Sequence, residues 1–209
     1  MKAYIVNGTP DIVNFMPELE VTNKLSEAKI VIFGEGPIVS PSLYKEKKAS
    51  GVDMKCDINR DRSDKAVYTK MRPDQLAVGI GRGACFLAVM NGAKLVQYAF
   101  KRYPNHSYEV EFKCKGKSYT FPAISDWNQS INLSGCSDFR LLGRSRESQD
   151  YIASPEIKRF MKYNGDPEMI VFHKANSPVS MCIQFHPEWM PNSYLSKFVK
   201  ERIYECANS

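Results

Sequence analysis

The sequence predicts an open α/β sandwich, a mainly parallel sheet with helices on both faces and a small antiparallel hairpin. Three features of the 209 residues carry that expectation. Two apolar runs, Ala28–Phe33 and Gln75–Ile80, each end at glycine, as buried strands that deliver a loop do. The second run passes through Gly81-Arg82-Gly83 into Ala84–Met90, a segment of helical composition stopped by Asn91-Gly92. Strict polar/apolar alternation is confined to residues 107–121, where Lys115-Gly116-Lys117 separates two short runs and predicts an antiparallel hairpin.

Taken in chain order, Met1–Val6 opens as a strand, and 28–33 follows as a second one that ends in Gly34-Glu35-Gly36-Pro37. Residues 45–65 are rich in Lys, Asp and Arg and read as a surface connection, with a helix over Ser63–Met71 returning the chain for a parallel strand at 75–80. After the hairpin, residues 179–185 form a last strand that runs into His186-Pro187-Glu188-Trp189. Apolar residues at 195, 198, 199 and 203 have the spacing of a closing amphipathic helix over 194–204.

A chain with 43% apolar residues can close one large core, so residues 1–209 are expected to form a single domain. No stretch reaches the ~18 apolar residues of a membrane span. The amino terminus has no long apolar run, which predicts a cytoplasmic protein. The net charge of +6 is spread along the chain, apart from a cluster at Lys45, Lys47 and Lys48; a solvated basic surface is the reading, and nucleic acid is not indicated as a partner. The six cysteines (56, 85, 114, 136, 182 and 206) form no CxxC pair, so neither disulfides nor a metal site is expected, and no cofactor is implied.

Three stretches together resemble the class I glutamine amidotransferases, whose sheet is flavodoxin-like, and more narrowly their gamma-glutamyl-peptide hydrolase branch, phage-encoded members included. Gly79-Ile80-Gly81-Arg82-Gly83-Ala84-Cys85-Phe86-Leu87, continuing to Gln97, is similar to that family's G-I-C-R-G-x-Q-x-L…N-x-x-x-G-G-x-L-x-Q. Gln184-Phe185-His186-Pro187-Glu188-Trp189 is similar to its Q-x-H-P-E-W. Gly36 through Val39-Ser40-Pro41-Ser42-Leu43-Tyr44 is similar to its G-G-x-D-V-x-P-x-L-Y. The resemblance spans about residues 2 to 200. It implies a cysteine nucleophile on the strand-to-helix elbow, a histidine that takes the thiol proton and a glutamate that orients the imidazole. His186 and Glu188 match the last two. The nucleophile position is Gly81.

Other departures fall in the same region. The family's paired glycines, which help form the oxyanion hole, are Glu35-Gly36 here, and its aspartate is Ile38. The His-His-Gln frequent in the hydrolase branch corresponds to Trp127-Asn128-Gln129, and Cys85 stands where the family has glutamine. Four residues beyond Gly81, the Cys85 thiol lies about 6 Å along the helix axis from the elbow; a buried cysteine packed with Phe86 and Val89 is the favoured reading. His186-Pro187-Glu188 has two readings, a ligand-binding remnant or a polar strand end, and His106 and His173 read as surface residues. Gly79–Ala84 also fits a dinucleotide-binding glycine pattern, but no acidic residue follows ~20 positions on.

The expectation is therefore a catalytically inactive relative that binds a small molecule, an anion or nucleotide among the candidates, or a protein partner. The binding residues it names are Gly36, Gly81, Arg82, Gly83, Cys85 and Gln129. An elbow without Cβ leaves helix-terminal amides open to an anion, with Arg82 assisting if it turns inward. The rivals are an active glutaminase or gamma-glutamyl hydrolase using another nucleophile or with Gly81 an introduced substitution, and an interaction module with an apolar patch near Trp127 or Trp189.

Overall fold

The centre of the molecule is a pair of parallel strands, β3 (Ile30–Phe33) and β4 (Leu76–Ile80), in which every residue is buried. The computed structural model describes residues 1–49, 55–97, 107–125, 129–146 and 166–209. Successive side chains of a strand point to opposite faces, so a strand covered on both sides must be apolar throughout. Ile30, Ile32, Val78 and Ile80 enter one core, and Val31, Phe33 and Ala77 the other.

Around this pair the sheet has nine strands in the order β2-β1-β3-β4-β11-β10-β9-β6-β7. Strands β1 (Lys2–Val6), β2 (Glu20–Val21), β3, β4 and β11 (Val179–Ile183) run parallel. Beyond β11 the sheet turns antiparallel, through β10 (Pro167–Phe172), β9 (Phe139–Ser145) and the hairpin β6 (Tyr108–Cys114) and β7 (Lys117–Ala123). The expected hairpin is present, turning at Lys115-Gly116 with φ of 50° and 75°, the positive pair that a tight two-residue turn requires. It is the outer part of a larger antiparallel flank, because β9 and β10 join it to the parallel half. A separate two-stranded ribbon pairs β5 (Lys94–Val96) with β8 (Ser130–Asn132).

One face packs on α1 (Pro10–Phe15) and α4 (Tyr194–Asn208) through Ile12, Phe15, Leu195, Val199 and Ile203. The other packs on α3 (Arg82–Met90), the β5–β8 ribbon and Tyr68 of α2 (Ile58–Tyr68). At about 1.5–3 kcal/mol for each fully buried large apolar side chain, these two layers hold the sheet against its helices. Helix α4 starts where the apolar spacing places it, capped by Ser193, and continues past Tyr204 to Asn208.

Two expectations are corrected. The helix before β4 begins at Ile58, not Ser63, because the Asp57 carboxylate accepts from the Asn59 and Arg60 amides and caps it there. Residues 45–65 are also not all surface: Asp61 and Asp64 are 1% and 0% exposed. Among the described residues no helix is long and apolar enough to cross a membrane.

Candidate functional site at the strand-to-helix elbow

Strand β4 ends and helix α3 begins within one residue, Gly81, at φ 56° and ψ −115°. Such a turn is open to residues with side chains only at a cost in strain. Its neighbours are glycines for a different reason. A Cβ on Gly79 would stand 2.3 Å from the Gly83 carbonyl oxygen, and one on Gly83 would stand 2.0 Å from that of Phe33. Backbone meets backbone at both points, so the sharp elbow depends on all three glycines. The Gly81 amide is secured to the Ile183 carbonyl at 2.9 Å, which fixes the elbow beside the end of β11.

His186 stands three residues past the end of β11 and is 3% exposed. Its ring lies over the elbow, where a Cβ on Gly81 would be 2.6 Å from His186 Cε1 and 3.2 Å from Nε2. The other side of the ring system is set by Trp189, stacked at 3.9 Å between centroids and 16° between planes. On the imidazole edge, Nδ1 bonds Glu188 Oε1 at 2.9 Å and lies 2.6 Å from Glu35 Oε1. The structure thus brings His186, Glu188 and Glu35 together.

These contacts set the charge of the site. Burial alone would push the imidazole down, but hydrogen bonding to Glu188 and Glu35 and their charge outweigh it and raise its pKa to about 9. Burial pushes the Glu35 carboxyl up, yet its contact with His186 wins and holds it below the ordinary value. Burial raises that of Glu188. At neutral pH His186 is an imidazolium balanced by the ionised Glu35.

Glu35 is held in this position by the backbone of its own loop, which is clamped at four points. Arg60 Nη2 donates to the Glu35 carbonyl at 3.0 Å, and Arg82 Nε to that of Pro37 at 3.1 Å. Gln129 accepts from the Val39 amide at 2.9 Å and donates to the Val39 carbonyl at 2.8 Å, and the Ser40 amide donates to Asp61 at 3.0 Å. The two arginines are tied in turn to buried acids: Arg82 to Asp61 and Asp64, Arg60 to Asp64. Gly36, at φ 150°, leaves room for Arg60, whose Nη1 would be 2.9 Å from a Cβ there.

The remaining expected residues take other places. The Arg82 guanidinium does not turn into the elbow; it is 4% exposed and engaged by Asp61, Asp64 and Pro37, because those carboxylates sit closer and are themselves buried. Gln129 spends its amide on Val39. Cys85 is buried on α3 with Sγ 3.9 Å from Gln184 Oε1, and burial pushes its thiol up to about 12. The space above Gly81 that an anion would need holds the His186 ring. Trp189 is 39% exposed, with its ring used in the stack. Trp127, Asn128 and His106 lie outside the described residues. No sequence pattern announced Asp61 and Asp64, except that positions three apart share one helix face. No spacing could pair Glu35 with His186, although the substitution of an acid into a glycine pair marked the position.

Glu35, His186 and Glu188 each offer a donor atom within 4.8 Å of the others, the one such group of potential metal ligands among the described residues. A polar groove along β1 and β2 is occupied by the ion pairs of Lys2 with Glu20 and Glu27 and has no comparable convergence.

No family model matches the sequence, and no curated protein matches it. Solved structures do. A GMP synthase-like protein from Thermoplasma acidophilum is 18% identical with a TM-score of 0.64, over 100% of this chain and 94% of that one. PurLQS from Thermotoga maritima is 14% identical with a TM-score of 0.61, over 98% and 97%. A glutamine amidotransferase from Thermotoga maritima is 14% identical with a TM-score of 0.58, over 97% and 86%. The fold is that of the class I glutamine amidotransferases.

Proposed function

We propose that this chain is a catalytically silent member of the amidotransferase-like class, placed by its motifs nearest the gamma-glutamyl-peptide hydrolase branch and its phage-encoded members, and that it uses the former active site for binding. The observation that carries this reading is Glu35. A cysteine hydrolase needs a thiolate beside its imidazole; here the elbow residue is Gly81, and the anion beside His186 is a carboxylate that cannot form a thioester. The thiol that follows the elbow on α3, Cys85, is buried, which pushes its pKa up to about 12. With Arg82 consumed by two acids and a carboxylate added at the mouth, the pocket favours a cationic ligand group over an anionic one.

The test is a paired assay of the unsubstituted chain and Gly81→Cys for hydrolysis of glutamine and of a gamma-glutamyl amide. The unsubstituted chain is expected to show no turnover. Gly81→Cys is expected to stay near background as well, because its Cβ meets the His186 ring and Glu35 still neutralises the imidazolium. Turnover by the unsubstituted chain would refute the reading. Turnover by Gly81→Cys alone would leave silence in place and make the nucleophile the only missing part.

A further inference from the structure

We infer that Glu35, His186 and Glu188 form a binding site for one divalent first-row metal ion, manganese or zinc. The inference deepens the reading of the pocket as a binding site and rests on it. Two carboxylates and an imidazole nitrogen are the donor set such ions take, with oxygen and nitrogen atoms about 2.0–2.2 Å from the metal.

The geometry supplies a reason beyond the residue types. Both carboxylates converge on the same ring nitrogen, Nδ1, which carries at most one proton. Glu188 Oε1 takes the hydrogen bond, and Glu35 Oε1, 2.6 Å from Nδ1, is held beside the ring as an ion-pair partner. The second oxygen of the Glu188 carboxylate, Oε2, has no hydrogen-bond partner among the described residues, on a side chain that is 0% exposed. A buried carboxylate oxygen without a hydrogen-bond donor is costly, and Glu188 carries one beside two further donor groups. A divalent cation would meet both carboxylates at once, replacing the single proton that now lies between them and the ring.

The surroundings suit a cation that is bound and not released at random. Trp189 stacks on the imidazole and fixes its plane, and the four clamps on residues 35–40 fix the loop that brings Glu35. Side chains on both sides need only small shifts, since the donors already lie within 4.8 Å of each other. Glu35 is the opening to solvent, at 30% side-chain exposure, and gives an ion its way in.

The experiment is a titration of the chelator-treated full chain with MnCl2, followed by electron paramagnetic resonance, and with ZnCl2, followed by calorimetry. The same titrations are run on Glu35→Gln and Glu188→Gln. Manganese is the decisive probe, because exposed thiols such as Cys56 do not compete for it. One equivalent should bind to the unsubstituted chain, and Glu35→Gln should weaken it at least about tenfold, roughly 1.4 kcal/mol. Glu35 is part-exposed, so this variant folds, and far-ultraviolet circular dichroism checks both. Absence of saturable binding below the millimolar range, or equal binding by Glu35→Gln, would overturn the site. Either result with glutamine turnover still absent would remove the metal site alone, whereas turnover would remove the silent-pocket reading.

Discussion

At the scale of single residues, Glu35 decides what His186 can do. An imidazole that must accept a proton from a nucleophile works best with a pKa near the operating pH, and two acids lift that of His186 to about 9. The sign for stability follows from linkage. A group whose folded pKa lies above its ordinary 6.5 contributes stability that is fully present below about 6.5 and is lost as pH rises through about 9. Urea midpoints of the metal-free protein should therefore fall between about pH 6.5 and about pH 9, and the fall should shrink in Glu35→Gln. An equal fall in both proteins would mean that the carboxylate does not sustain the imidazolium. Gly79 and Gly83 were legible in the sequence because close backbone packing excludes every other residue. The partnership of Glu35 with His186 was not, because it joins loops distant along the chain and depends on the fold that brings them together.

At the scale of elements, the backbone of residues 35–40 is held by buried arginines and acids. Helix α2 buries Asp61, Asp64 and Tyr68, and its two acids hold the arginines that clamp the loop. Strands β3, β4 and β11 could be read from their apolar runs, but α2 could not be placed correctly, since two of its three buried residues are the carboxylates Asp61 and Asp64. Removing one partner from a buried ion pair strands the others, at about 3–5 kcal/mol. Asp64→Ala should destabilise the chain by that order in urea unfolding, with Arg82, Arg60 and Asn7 all losing a partner. Arg72→Ala, which breaks an exposed pair with Asp74 and a bond to the Ser26 carbonyl, should cost much less. Similar losses for the two variants would argue that the buried cluster contributes no more than a surface pair.

At the scale of the whole molecule, the fold was legible and its use was not. Continuous apolar strands, the glycine elbow and the amphipathic C-terminal helix all report local packing, and the nine-stranded sheet sets the four apolar strands side by side in its parallel half. The antiparallel flank from β10 to β7 was legible only at its hairpin, because β10 is as uniformly buried as a parallel strand and carries no alternation. The solved structures that share the architecture include a glutamine amidotransferase, and a fold hosts whatever chemistry its site retains. In this chain the elbow residue is glycine, and two acids meet the imidazole that lies over it.

The most direct test of a silent elbow is covalent. The chain is incubated with a chloroketone analogue of glutamine, and every cysteine-containing peptide is then mapped by mass spectrometry, with iodoacetamide as a reference for general thiol access. The expected result is iodoacetamide labelling at the exposed Cys56 and no chloroketone adduct at Cys85 or within the Gly81–Cys85 peptide. A stoichiometric chloroketone adduct on Cys85 that glutamine protects would contradict the account and would make that thiol the nucleophile of a working amidotransferase.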